Sequence, residues 1–400
     1  MEKLVCKYQH NHLAITQPEG KITPCCHFDT SSFDHWDLVN LNSQNTLNNL
    51  LKSYRWFELR DIFREGIKYD GCKNCWNAER IGYLSKRQYY DFVCKDEYKT
   101  AVLEDLEIAL DFNCNFMCRT CRPGISSKWN QAKKPIEELN KFEKDHYNPL
   151  SIDNYSDKMN KIIDNSDFSH LKRIAIVGGE PFLSYNLNSL LSKLNLENIK
   201  IKITTNGSVF PDNELLELLN RAKNVYLDIS IDGVGELAEV IRYGTVWDKI
   251  VENLEKFIQT KFVIKLVTTV SIMNINRLEE LIVFARKYDL PQTCYSLYWP
   301  SHLRYDILPL SIRQKWKINL PEKINSIFFM GYELKNYNDV NDFNTIVLDE
   351  NQSENRLLEF VKSMTILDQY QRKKFSDVNP EIWEIAHTCK RVKKFYHKKG

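Results

Sequence analysis

The chain has 400 residues, with 55 Lys and Arg against 53 Asp and Glu, a net charge of +2. That balance gives no general electrostatic drive toward nucleic acid or a membrane surface. A composition 43% hydrophobic and 12% aromatic excludes a disordered or fibrous protein, and no apolar run approaches the roughly eighteen residues of a spanning helix. The start, MEKLVCKYQH, lacks the charged-then-apolar layout of a signal peptide, so the expectation is a cytoplasmic protein whose thiols stay reduced.

In chain order, the first hundred residues predict one amphipathic helix, Leu47 to Glu65, between cysteine-bearing loops, and read as a separate small domain, residues 1–100. From about residue 105, short β-rich runs alternate with helical ones, the pattern of βα units on a parallel sheet. The predicted strands are Leu106 to Phe112, Arg173 to Val177, Lys200 to Thr205, Val225 to Ile231, Phe262 to Val270 and Thr293 to Leu297. Helices such as Asn213 to Arg221 and Arg277 to Tyr288 lie between them. Near-continuous apolar runs, RIAIV and FVIKLVTTV, predict strands covered on both faces. The fold class is α/β, and periodicity leaves open a doubly wound sheet or an incomplete barrel over residues 101–305. Residues 306–400 predict a helical extension that includes Glu354 to Tyr370, with NYNDVNDFN as a surface loop. LDQYQRKKF and the basic end KRVKKFYHKKG are candidates to bind substrate, bind a partner or cap the barrel.

Eleven cysteines in a reduced compartment point to metal binding or catalysis. Directly after the first predicted strand of the alternating region, DFNCNFMCRTC places Cys114, Cys118 and Cys121 in the spacing C-x3-C-x2-C. Loops at the carboxyl ends of parallel strands are where such folds bind ligands. At this cysteine frequency the triplet is expected by chance about 0.01 times, against about 0.3 for a lone C-x2-C, so the spacing is a signal. Structural zinc wants four closed ligands, whereas a 4Fe-4S cubane held by three thiolates keeps one iron open for a ligand.

On this loop the chain resembles the radical S-adenosylmethionine (radical SAM) enzymes, whose hallmark is C-x3-C-x2-C after the first strand of a partial (βα)6 TIM-like barrel. The resemblance implies a 4Fe-4S cluster on Cys114, Cys118 and Cys121 that chelates SAM. One electron, from a donor such as flavodoxin or ferredoxin, then cleaves SAM to a 5'-deoxyadenosyl radical that takes hydrogen from a substrate. IVGGEPFLS matches the family's GGEP motif. It implies that Gly178, Gly179, Glu180 and Pro181 grip the methionine amino group, and Pro181 restricts Glu180 to extended geometry. TTNGS, with Asn206, and YLDISIDG, with Ser230 and Asp232, are similar to segments lining the SAM pocket. By resemblance Ser230 contacts the ribose, Asp232 reaches ribose or substrate, and Arg242 lies near the methionine carboxylate, which suits bidentate pairing. Val270 and Asn274 are candidates to complete the adenosine site. The chain departs from the family at Thr120, where an aromatic or bulky residue often stands.

Cys6, the Cys25-Cys26 pair, Cys72 and Cys75 supply enough thiolates to close a further site, zinc or a second 4Fe-4S cluster by donor type alone. The layout resembles an auxiliary-cluster twitch module, related to SPASM domains, placed before the core. That resemblance implies ligation by Cys6, Cys25, Cys72 and Cys75, with Cys26 the alternative to Cys25. Cys94, Cys294 and Cys389 read as small apolar residues, and Tyr295, Tyr298 and Trp299 as core packing rather than cavity lining. The family resemblance implies a peptide or protein side chain as substrate. A small molecule such as a sugar or amino-acid derivative is the alternative, because no leader-peptide-binding domain is visible before Cys6. A zinc-stabilised binding protein is the non-enzymatic rival. RNA modification is disfavoured by the neutral charge and the lack of a basic module.

Overall fold

In the computed structural model, alternation of side chains along each strand sets one curved sheet. The structure describes residues 6–30, 36–37, 46–80, 85–93, 100–141, 143–147, 154–313, 327–329, 332–333 and 350–397. The strands β1 (His12–Ile15), β2 (Asp105–Ala109), β3 (Arg173–Val177), β4 (Lys200–Thr205), β5 (Asn224–Ser230), β6 (Val263–Val270), β7 (Gln292–Ser296), β8 (Ile327–Phe329) and β9 (Tyr332–Glu333) lie side by side in chain order. Neighbours are parallel except β8 and β9. Strands β2 to β7 with their crossing helices are an α/β unit of the partial TIM-barrel kind.

The six runs read from the sequence fall on β2 to β7, but their faces differ from the expectation. Ile174, Ile176, Ile201, Ile203, Leu227, Ile229 and Leu266 are at most 1% exposed and pack under the helices. The alternating residues Ala175, Lys202, Tyr226, Lys265 and Val267 are only partly buried or exposed. A curved sheet packs helices on its convex face and turns the other toward an interior, so these strands are fully covered on one face only.

The amino-terminal region is tied to this sheet rather than set apart from it. His12 pairs with Asp105 and Ile15 with Ile108 along β1 and β2, and the outer edge of β1 is covered by Thr23, which exchanges both backbone bonds with Ala14. The expected helix over 47–65 is two pieces, Leu47–Leu50 and Tyr54–Arg64. Extended backbone at Ser53 starts the second, a position where serine competes well with helix continuation.

At the other end, the helix Glu350–Gln371 buries Leu357, Phe360, Val361, Met364 and Leu367 as one stripe. Pro380–Thr388, which Asn379 caps by accepting from the backbone N–H of Ile382, and Lys390–His397 follow. Cys94 and NYNDVNDFN lie outside the described residues. Among the described residues no helix is long and apolar enough to cross a membrane.

Candidate active site

Where β2 ends, the chain enters the cysteine loop, and the loop after β3 is pressed against it. A Cβ on Gly179 would lie 2.2 Å from the Asn113 carbonyl oxygen, and one on Gly178 would lie 2.5 Å from that of Asp111. Only glycine permits this approach. The Glu180 N–H then donates to Asn113 O at 2.7 Å. Further contacts hold the loop itself. Trp129 Nε1 donates to Cys118 O (2.8 Å), Ser127 Oγ accepts from the Cys114 N–H (3.0 Å), and Met117–Cys118 pairs antiparallel with Arg242–Tyr243.

Cys114, Cys118 and Cys121 are thus presented together at the carboxyl end of the sheet. Burial raises all three thiols, Cys121 to about 12, and Cys118 and Cys121 are raised further by the other loop thiols. Each is countered by the Arg242 guanidinium. A cluster of thiols that resist ionisation when bare is relieved by a metal centre, which binds thiolates and supplies positive charge.

Arg242 Nη1 bonds Asp232 Oδ2 at 2.8 Å, while Asp232 Oδ1 accepts from the Thr269 N–H at 2.7 Å. Asp232 therefore orients Arg242. Arg242 Nε is buried with no hydrogen-bond partner. A guanidinium edge left unpaired beside three thiols fits an anionic group in this space.

Glu180 is fully buried. Its Oε1 accepts from Thr205 Oγ1 (2.7 Å) and the Phe182 N–H (3.2 Å), and its Oε2 from the Asn206 N–H (2.7 Å). Burial still pushes its carboxyl up to about 7 against these hydrogen bonds. A carboxylate in that condition is stabilised by an ammonium. Asn206 Nδ2 reaches Asn115 Oδ1 at 3.0 Å and lies 3.9 Å from Cys114 Sγ. Pro181 is buried behind Glu180, and Ser230 ends β5 half-buried on the inner face.

Two expectations change. Val270 is fully buried on the helix-facing side of β6, so its side chain belongs to the core and not to an adenosine site. Asn274 donates to the backbone oxygens of Asp232 and Thr269 and accepts from the Ser271 N–H, which makes it a brace for the loop carrying Asp232.

The sequence reading also missed Arg119, which is wholly buried inside the cysteine loop. It bonds Val240 O (2.9 Å), Gln371 Oε1 (3.0 Å), Lys373 O (3.1 Å) and Asp368 Oδ1 (2.7 Å). The carboxyl-terminal helix therefore grips the loop from behind. The one sequence signal was LDQYQRKKF as a candidate cap.

In the amino-terminal region, Cys6, Cys25, Cys72 and Cys75 line one pocket, together with Phe28 and Phe63. Burial is the main cause raising Cys6, Cys25 and Cys72, and neighbouring thiols of the group add to it. Cys26 does not line that pocket: its Sγ accepts from Lys86 Nζ, which also reaches Glu107 Oε2 at 3.4 Å. Of the adjacent pair, Cys25 is the one that faces the other thiols. Among the described residues, no three His, Cys, Asp or Glu side chains are grouped to hold a single metal ion. Cys294 and Cys389 are buried. Tyr295, Tyr298 and Trp299 are 43%, 60% and 46% exposed, so core packing does not describe them.

Residues 112–285 match the model of the Radical SAM superfamily. A GTP 3',8-cyclase of Helicobacter pylori is 24% identical over 187 residues, covering 46% of this chain and 53% of that one. A GTP 3',8-cyclase of Staphylococcus epidermidis is 31% identical over 140 residues, 33% of this chain and 35% of that one. The chain spans about half, or less, of the length of these relatives. Among solved structures, SuiB of Streptococcus suis is similar with a TM-score of 0.36 and 13% identity, covering 79% of this chain and 69% of that one.

Proposed function

Because this chain is an enzyme of the radical SAM superfamily, with the family's domain over residues 112–285, we propose that Cys114, Cys118 and Cys121 hold a 4Fe-4S cluster whose open iron takes SAM. The observation that carries this is the convergence of three thiols, one buried and two half-buried, the unpaired Arg242 Nε and the proton-avid Glu180 on one end of the sheet. When reduced by a donor such as flavodoxin or ferredoxin, the bound pair supplies a 5'-deoxyadenosyl radical that abstracts hydrogen from substrate.

The chain's own residues bind and orient. Glu180 faces the methionine ammonium and Arg242, held by Asp232, its carboxylate. Asn206 and Ser230 border the nucleoside, and the Gly178-Gly179 turn brings backbone close. In the amino-terminal pocket, Cys6, Cys25, Cys72 and Cys75 close a second 4Fe-4S cluster of the twitch type, supported by their shared lining of one cavity. An auxiliary cluster accords with a peptide or protein side chain as substrate. The second reading, a small molecule, is favoured by the charged inner face of the sheet and by the GTP 3',8-cyclase relatives. SAM consumption stimulated by peptides and not by metabolites supports the first; the converse supports the second.

The direct test is iron, sulfide and zinc content after anaerobic reconstitution. About eight irons are expected in wild type, falling to about four in the Cys114, Cys118, Cys121 triple Ala variant and in Cys72→Ala with Cys75→Ala. Zinc without iron in all three proteins overturns the radical reading.

A further inference from the structure

The inner face of the sheet carries charges that the cluster and SAM do not use. Lys202 Nζ and Lys265 Nζ both reach Asp228, at 2.8 Å on Oδ2 and 3.3 Å on Oδ1. In the register, Lys265 and Thr204 flank Asp228 directly, and Lys202 precedes Thr204 by one alternation on β4. Lys86 meets Glu107 on β2. With Arg173 bonded to Asp105 at 2.9 Å on the same face, four cationic groups face three carboxylates.

These side chains line a concavity. Lys202 is 45% exposed and Lys265 29%, yet burial is the largest single influence on both: at Lys202 the attraction of Asp228 overcomes it and the ammonium is held above its ordinary value, whereas Lys265 ends below its own, through burial and then through Lys202. A side chain that is surrounded by protein and still reached by solvent faces an enclosed space. Lys202 on β4 and Tyr295 on β7 also interact electrostatically, across three strand spacings that would be roughly 14 Å on a flat sheet. The helix Lys86–Val93 meets the same face at β2, where Lys86 Nζ reaches Glu107 Oε2 at 3.4 Å.

We propose that Lys202 and Lys265, converging on Asp228, bind an anionic oxygen group of the substrate, a carboxylate or a phosphate. Asp228 alone cannot engage the six N–H donors of two ammonium groups, which leaves donors on Lys202 and Lys265 for a further acceptor. The site is well placed for this role. Asp228 and Ser230 share a face of β5, two residues or roughly 6.6 Å apart, so an anion held here sets the rest of the substrate beside the candidate nucleoside position. This assignment rests on the enzymatic reading above, and it fixes the chemical class of one end of the substrate.

Calorimetric titration of the anaerobically reconstituted full chain at low ionic strength tests it, with inorganic phosphate and succinate as probes. The proteins are wild type, Lys202→Met, Lys265→Met, the charge-preserving Lys265→Arg, and Lys249→Met at an exposed surface pair. The expected result is saturable binding of a probe by wild type, Lys265→Arg and Lys249→Met, weakened at least tenfold in Lys202→Met and Lys265→Met. Tighter phosphate assigns a phosphoryl group, and tighter succinate a carboxylate. Lys202→Gln replaces Lys202→Met if the methionine lowers the melting temperature. No saturable binding to wild type, or binding by both Met variants as tight as that of wild type, overturns the site. Iron measured on the same samples keeps the two readings apart: iron at the triplet without anion binding overturns only this site, and anion binding without iron overturns the enzymatic reading.

Discussion

At the scale of a residue, Glu180 has a pH signature that separates it from an inert buried acid. Its carboxyl ionises near 4.5 in an unfolded chain and near 7 when folded, because burial outweighs three hydrogen bonds. Between those values the folded state holds a proton that the unfolded state releases. The group's contribution to stability is therefore fully present below 4.5 and is lost as pH rises through 7, about 3 kcal/mol in all. Urea unfolding at pH 5 and pH 8 should show wild type losing most of that amount, about 2.5 kcal/mol, relative to Glu180→Gln on going to the higher pH. A parallel pH dependence in the two proteins would show that Glu180 is ionised throughout. SAM affinity has the opposite sign, since only the ionised carboxylate complements an ammonium. Binding should strengthen as pH rises through 7 in wild type and be weaker by about 1.5–3 kcal/mol in Glu180→Gln at pH 8.

At the scale of elements, Arg119 joins the cysteine loop to the helix Glu350–Gln371 and so couples the carboxyl-terminal region to the three thiols. Arg119 is wholly buried and burial lowers its pKa, opposed by Asp368. Removing Asp368 leaves that guanidinium without its charge partner, at a cost of about 3–5 kcal/mol. Asp368→Ala should therefore lower the denaturation midpoint and the iron retained by the triplet. Arg119→Met combined with Asp368→Leu should recover part of the stability, because a matched apolar pair replaces a matched ionic one. An Asp368→Ala protein with unchanged midpoint and iron would make the junction incidental. Beyond LDQYQRKKF as a candidate cap, the sequence did not show this junction, because Arg119 and Gln371 are 252 residues apart and no local periodicity links them. The cysteine loop was legible for the converse reason: its three thiols sit within one short segment, so spacing alone exposes them. Cys25 and Cys26 mark the limit of that method, since adjacent loop residues point to different neighbours and spacing treats them alike.

At the scale of the whole molecule, strand positions were readable because period-two burial leaves alternating Ile and Leu in β3 to β6, and the helices between them follow the same logic. What the pattern concealed was the interior. Lys202, Asp228 and Lys265 interrupt apolar runs and read as blemishes in buried strands until curvature gives their face an enclosed space. The strand that joins the amino-terminal region to the sheet escaped the sequence reading for a related reason, since a four-residue strand leaves almost no periodic trace. Leu13, Ala14 and Ile15 are nevertheless fully buried, and β1 covers the edge of β2 that would otherwise present unpaired backbone. Deleting residues 1–100 should therefore expose that edge together with the apolar surface beneath β1, and the fragment 101–400 should aggregate when the full chain stays monodisperse. Calorimetry of the full chain should give one transition, coincident with loss of order around both Trp56 and Trp129, which the two regions bury. A soluble fragment with its own transition, and two separated transitions in the full chain, would instead make residues 1–100 an independent unit appended to the barrel edge.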